Sequence, residues 1–244
     1  MFWRLLQVEW FKMKRSKLWP LILLSPLTAS IVGYGAVSRV DFELLNDWYE
    51  PLVFMVSIHA ILFLPLISGV LVSLICRHEH QAGGWKQLLS LPVKRSTVYL
   101  AKGVLTFFLI GLIQLLFVMG WLVVGASQGY ADPLPIKLML TVLIGGWMAM
   151  IPLICLQLWA STLWASFGAP LALNVIFTVP NIMIINSERF SPLYPWAQPF
   201  MLMMPQDQSV IGFSASANVL FLVIGGSAVL FFIGGLLTFQ RKLV

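Results

Sequence analysis

Charge is what this sequence has least of. Only 10% of its 244 residues are Asp, Glu, Lys or Arg, against about 25% in an ordinary soluble domain. A soluble fold of this length needs more charge to cover its surface. Here 59% of residues are hydrophobic and mean hydropathy is +0.91, so the apolar excess must face lipid. Catalytic motifs are also missing. Gly83-Gly84-Trp85-Lys86 lacks the G-x-x-x-x-G-K-[ST] spacing that wraps backbone N–H groups around phosphate, which excludes ATP hydrolysis by that route. No H-E-x-x-H or paired-carboxylate pattern lies in the apolar stretches. Gly125-Ala126-Ser127-Gln128-Gly129 spells a nucleophile elbow by letter. The elbow needs a strand before it and a helix after it, whereas this one follows an apolar helix and runs into Asp132-Pro133, so it reads as a helix end. Cys76, His78 and His80 lie within five residues, but on a helix His78 points away from the other two, so three metal ligands do not converge. Cys76 falls at the end of an apolar stretch and Cys155 in the middle of one, which predicts no structural disulfide.

What is present is six stretches free of Asp, Glu, Lys and Arg: 18–37, 51–75, 103–126, 138–161, 167–185 and 219–239. Each is long enough to cross about 30 Å of hydrocarbon as a helix, and each is apolar on every face, unlike the alternating strands of a barrel. The expected fold is an all-α integral membrane protein with six transmembrane helices in a single domain, 1–244. Twelve of the fifteen basic residues fall in the N-terminal segment, the 77–102 loop and the C-terminus, while seven of the nine acids fall on the opposite side. Both termini are therefore expected in the cytoplasm. The same charge pattern accounts for the net charge of +6 by contact with anionic lipid rather than nucleic acid. At 100° per residue Phe2, Trp3, Leu6, Trp10 and Met13 share an arc, which predicts an N-terminal helix, 1–17, lying in the interface.

Polar residues inside the spans are costly, so His59, Gln114, Gln157 and Asn174 are candidates for a substrate path or for interhelix hydrogen bonds. No charged residue lies within the spans, which argues against proton- or ion-coupled pumping. Segment 186–218 carries Pro192, Pro195, Pro199 and Pro205 among Tyr194, Trp196, Phe200 and a run of methionines. Four prolines preclude one long helix, and the apolar content precludes a solvated loop, so short helices dipping into the outer leaflet are expected. Trp196 and Phe200 join the candidate substrate path on that ground.

The most informative connection is 77–102. Gly83-Gly84 breaks the helix leaving span two, Trp85, Leu88, Leu89 and Leu91 form a short amphipathic stretch, Pro92 ends it, and Lys94-Arg95 lead back towards span three. An acid, a glycine, a leucine-rich helix, Pro-Val, a base and a lysine, here Glu79, Gly84, Leu88, Leu89, Pro92, Val93, Arg95 and Lys102, resemble the permease subunit of type-2 ABC exporters. Many members have Gly-Thr where this chain has Gly84-Trp85. Within the family, Trp85-Lys86 and Gln157-Leu158-Trp159 resemble the small permeases of lantibiotic and bacitracin immunity.

The resemblance implies a plasma-membrane dimer, with a second permease copy or paralogue, bound to a separate ABC ATP-binding subunit. That partner would hold ATP and Mg, and this chain would bind no cofactor. Coupling would fall to Glu79, Gly84, Trp85, Leu88, Leu89, Pro92 and Arg95, with Trp85, Leu88 and Leu89 as the anchor buried in the ATPase. The cargo would be amphiphilic, an antimicrobial peptide or a lipid, with export of a drug, polymer or ion as the alternative. A non-transporting scaffold or sensor is the reading from another class, and an intramembrane enzyme is disfavoured by the missing catalytic groups.

Overall fold

A computed structural model describes residues 2–15, 18–37, 47–80, 84–90, 92–205 and 217–241, and the regular elements among them are all helical. In chain order they are α1 (Phe2–Arg15), α2 (Trp19–Val37), α3 (Tyr49–Ile58), α4 (Leu64–His80), α5 (Gly84–Ser90), α6 (Arg95–Gln128), α7 (Ile136–Leu140), α8 (Gly146–Ala149), α9 (Ile151–Leu163), α10 (Gly168–Thr178), α11 (Asn181–Ile184), α12 (Gln198–Met203) and α13 (Ala217–Gln240). Five stretches are long and apolar enough to cross a membrane: Trp19–Val37, Tyr49–Arg77, Arg95–Gln128, Ile136–Leu163 and Asn218–Gln240. The expected fifth span is the exception. α10 and α11 make a shorter apolar piece, Gly168–Ile184, interrupted at Pro180.

Helix ends differ from the expected ones. α4 continues to His80 and α6 begins at Arg95, so the connection between them covers only 81–94. Lys102, expected at the end of that loop, lies about two turns inside α6. Gly129, at φ 71° in the left-handed region, ends α6 as a glycine without a Cβ can. The letters of the nucleophile elbow are thus the C-terminal turn of a membrane helix, with Ser127 Oγ bonded to the Val124 carbonyl at 2.7 Å.

The second span is continuous but not regular. A π-turn, His59–Phe63, separates α3 from α4, and Pro65 follows. Proline has no N–H, so the Ile61 carbonyl, four residues earlier, loses its helical donor. Asn181 Nδ2 supplies the missing donor at 2.9 Å and also donates to the Trp196 carbonyl at 2.9 Å. One stretch of helix nearer the start, Asn174 Nδ2 donates to the carbonyls of Pro65 at 2.8 Å and Leu66 at 3.3 Å, while its Oδ1 accepts from Trp196 Nε1 at 3.0 Å. Asn174 reaches α4 because Gly69 faces it; a Cβ there would collide with the amide. Two asparagines seven residues apart therefore repair one irregular stretch of the neighbouring span.

Segment 186–218 is described as far as residue 205. It does contain short helices, Ser191–Leu193 and α12. Much of their surface is packed within the chain itself, however. Trp196, Ala197, Phe200 and the four residues 201–204 are buried. Phe200 and Met203 pack with Val56, Phe117, Val142 and Ala197, so the segment's apolar side chains belong to the helical core. Phe190 and Leu193 remain exposed. Beside this core, Trp48 edges onto Trp121, donates from Nε1 to the Asp132 carbonyl at 2.9 Å, and accepts from Trp121 Nε1 at its own carbonyl at 2.9 Å.

Asn181→Leu should be costly despite similar volume, because two buried carbonyls lose their donor at about 1–3 kcal/mol each. Thermal unfolding of the detergent-solubilised chain is expected to show a clear loss for Asn181→Leu. An exposed change next to it, Ile182→Ala, should leave the transition in place.

Candidate functional site

Four charges meet where α1, α4 and α6 come together. Lys12 Nζ lies 2.8 Å from Glu9 Oε1 and 2.8 Å from Glu79 Oε1. Lys102 Nζ lies 2.8 Å from Glu9 Oε2 and 2.9 Å from Glu79 Oε2, the last an ion pair without hydrogen-bond alignment. Each carboxylate thus gives one oxygen to each lysine, and the four groups close a neutral ring. Lys102 also donates to the Ile75 carbonyl at 3.2 Å. Glu9, Glu79 and Lys102 are buried, and Lys12 is partly open. Burial by itself would raise the Glu79 carboxyl, but Lys102 and Lys12 outweigh it and hold the group below its ordinary value.

This ring changes the expected role of α1. The proposed arc of Phe2, Trp3, Leu6, Trp10 and Met13 does not face one medium. Met13 is buried in the helical core, Trp3 and Trp10 are exposed, and the centre of the inward face is the carboxylate of Glu9. A lone acid in a segment otherwise holding five bases was the signal available in the sequence. Lys102 was legible only once α6 was seen to start at Arg95.

α5 hangs from the same cluster. Trp85, expected to anchor in a partner, is 5% exposed and packs within its own chain. Its ring edges onto Phe239 of α13 at 5.1 Å and lies 5.8 Å from Lys102 Nζ. Trp85 Nε1 donates to His80 Nδ1 at 3.2 Å. Indole N–H can only donate, so His80 carries its proton on Nε2 and donates to the Ser161 carbonyl of α9 at 2.8 Å. Leu88 and Val93 pack at the edge of this cluster. Arg95, expected at the interface rim, donates to the Gln240 carbonyl at 2.8 Å. Gly84 opens α5, Pro92 lies exposed beyond it, and the side chain of Leu89 falls outside the described residues. The outward side of α5 is formed by Lys86, Gln87 and Ser90.

The polar residues of the spans bond to one another. His59 Nδ1 is 2.6 Å from Ser25 Oγ, its Nε2 is 3.2 Å from Gln114 Oε1, and Gln114 Nε2 donates to Met203 Sδ at 3.3 Å. One assignment satisfies the chain: Ser25 donates to Nδ1, and neutral His59 donates from Nε2 to Gln114. The ring stacks on Phe117 at 4.2 Å. His59, Gln114, Gln157 and Asn174 are fully buried, and Trp196 and Phe200 are each 4% exposed. The structure therefore brings together His59, Gln114 and Phe200's core on one hand and Asn174 with Trp196 on the other, but it gives none of them an open surface. Gln157 alone has both amide atoms without a hydrogen-bond partner among the described residues.

Removing Lys102 should leave two buried carboxylates to share the partly exposed Lys12. Lys102→Met is expected to cost about 3–5 kcal/mol, read as a fall in the thermal transition in detergent. The pH dependence has a definite sign. Because the folded-state value of Glu79 lies below 4.5, its contribution is complete above that pH and is lost as pH falls through the depressed value. Wild type should lose stability between neutral and acid pH more steeply than Glu79→Gln.

Residues 5–181, well over half of the chain, match the family described as ABC-2 family transporter protein. No curated protein sequence matches the chain. A bundle of lipid-length helices, with a short helix rooted between two of them, is the architecture on which that match falls. The chain belongs to the ABC-2 transporter family and is a permease component of an ABC transporter, a family that implies an ATP-binding partner.

Proposed function

We propose that the chain is the permease of an ATP-driven exporter of amphiphilic cargo, with six spans, both termini in the cytoplasm and α5 as its contact with the ATP-binding subunit. The observation that carries this reading is the rooting of α5. Trp85 touches α13 through Phe239, α4 through His80 and α6 through Lys102, and Lys102 belongs to the ring that holds α1. A push on the outward side of α5 is thereby delivered to four helices, since close-packed interiors transmit displacement rather than absorb it. Lys86 and Gln87 then make the contact with the ATPase, and Trp85 passes the motion inward.

The burial of every candidate path residue favours a route for cargo between two permeases over one through a single chain. A homodimer or a pair with a paralogue meets that need. Lantibiotic immunity is the specific cargo reading, and it rests on the resemblance of the Trp85-Lys86 and Gln157-Leu158-Trp159 stretches. The sixth crossing is assigned to Gly168–Ile184, whose 17 residues approach the length of a span and whose Pro180 break is covered by the contacts of Asn181.

Three outcomes are expected. Lys86→Glu with Gln87→Glu should sharply reduce copurification of the ATP-binding subunit. Trp85→Ala should leave that complex intact but abolish stimulation of its ATPase by substrate in nanodiscs; equal stimulation in wild type and variant would remove α5 from the coupling path. Single cysteines at Lys94 and Lys137 should differ in intact cells, with an impermeant maleimide labelling 137 and not 94. The reverse pattern inverts the topology.

A further inference from the structure

A second polar feature lies beside the coupling cluster and shares only the wall formed by His80 and Ser161 with it. A crevice of about 120 Å³ opens between the ends of α4 and α9 and the start of α10, lined among others by Ser73, Arg77, His80, Ser161, Ser166 and Phe167. It far exceeds the roughly 10–15 Å³ that one water requires and is small beside the roughly 300–1,000 Å³ of a drug-sized pocket. It fits a chemical group rather than a whole molecule. Among the described residues its lining contains no carboxylate.

Among the described residues no acid pairs with the charge there. Arg77 stands over the Phe167 ring at 5.5 Å, which orients the guanidinium without neutralising it. The acid nearest in sequence, Glu79, is committed to Lys12 and Lys102, and residues 162–167 include no acid. Hydroxyl hydrogens are in surplus. Ser166 Oγ accepts from Gly168 N–H at 3.2 Å, which leaves its own O–H to donate outward. Ser73 and Ser161 face each other at 3.5 Å, and one hydrogen serves that contact, so the other is spare. His80 is fully used by Trp85 and Ser161 and acts here only as a wall. The crevice also meets the first turn of α10, an 11-residue helix whose positive end adds to the same field.

We infer that this crevice binds a phosphoryl group, carried by an anionic phospholipid of the leaflet that Arg77 faces. A guanidinium with several hydroxyl donors beside it matches a tetrahedral oxyanion better than a cation or a neutral head. Arg77 is the last residue of the Tyr49–Arg77 span, which puts the crevice at headgroup depth. Leu163 and Trp164 lie exposed next to it, where an acyl chain would run. Arg77 and Ser166, which would hold the group, take no part in the contacts proposed for coupling, so failure of the site leaves the coupling proposal untouched.

The test uses the full purified chain in detergent. Phosphatidylglycerol and phosphatidylcholine are titrated separately, and retained lipid is counted by native mass spectrometry. Wild type should retain phosphatidylglycerol in preference, and Arg77→Gln should weaken that retention roughly tenfold or more. Arg77→Lys, which keeps the charge and loses the fork, should fall between them. Ser166→Ala should weaken retention by less. Lys137→Gln removes a distant exposed cation and should change nothing. Equal retention by wild type and Arg77→Gln, or an equal loss in Lys137→Gln, overturns the site. Competition by millimolar inorganic phosphate in wild type, absent in Arg77→Gln, keeps the phosphoryl site but overturns the lipid as its source.

Discussion

Inside hydrocarbon a carbonyl that loses its helical donor has no water to turn to. Much of this fold follows from that constraint. Pro65 in the second span frees the Ile61 carbonyl, and Asn181 must come to meet it. For Asn181 to be there, the fifth apolar stretch must lie against the second, and Gly69 must be bare so that Asn174 can dock one step earlier. Trp196 then closes the arrangement from segment 186–218, through its own N–H to Asn174 and its carbonyl to Asn181. One imino acid thus fixes the relation of three parts of the chain that are far apart in sequence.

The same constraint explains what the sequence could and could not reveal. The spans were legible because a lipid-facing helix is written in consecutive residues, and five of the six emerge at nearly the expected places. The fifth stretch is slightly shorter than read, Gly168–Ile184, and the interruption inside it at Pro180 is covered by contacts that Asn181 makes to other parts of the chain. Asn174 stood out as a polar residue in an apolar run, but its partners are backbone carbonyls of another span, which no local pattern encodes. The prolines of 186–218 correctly excluded one long helix. Whether the apolar side chains between them face lipid or core depended on the space left by Val142 and Phe117, and that is a property of the assembled bundle.

The coupling region shows the same division. Glu79, Gly84, Leu88 and Pro92 were recognisable as a pattern along the chain. Glu9 and Lys12 were not, because their meaning lies in their distance to Glu79 and Lys102 and not in their spacing. A buried ion-pair ring contributes uncertain net stability, since desolvation offsets much of the attraction. Its clearer effect is on geometry. Each carboxylate bridges both lysines, so α1 cannot slide along α6 without parting at least two pairs at once. A hydrophobic contact of equal area would let the helices slip past each other in small steps.

The inward turn of Trp85 decides how force can pass through this end of the molecule. An aromatic side chain buried in a partner would make α5 a separable plug, strong in binding but loosely joined to its own spans. With Trp85 seated on Phe239 and bonded to His80, α5 is instead a projection of the bundle. His80 carries the connection on to α9 through Ser161, and Arg95 fastens the start of α6 to the end of α13 through Gln240. In the coupling role proposed for α5, its displacement would bear on α13 and α9 together, through the aromatic contact and the chain of hydrogen bonds. The polar chain Ser25–His59–Gln114–Met203 ties α2, the second span, α6 and α12 to one another through side-chain hydrogen bonds.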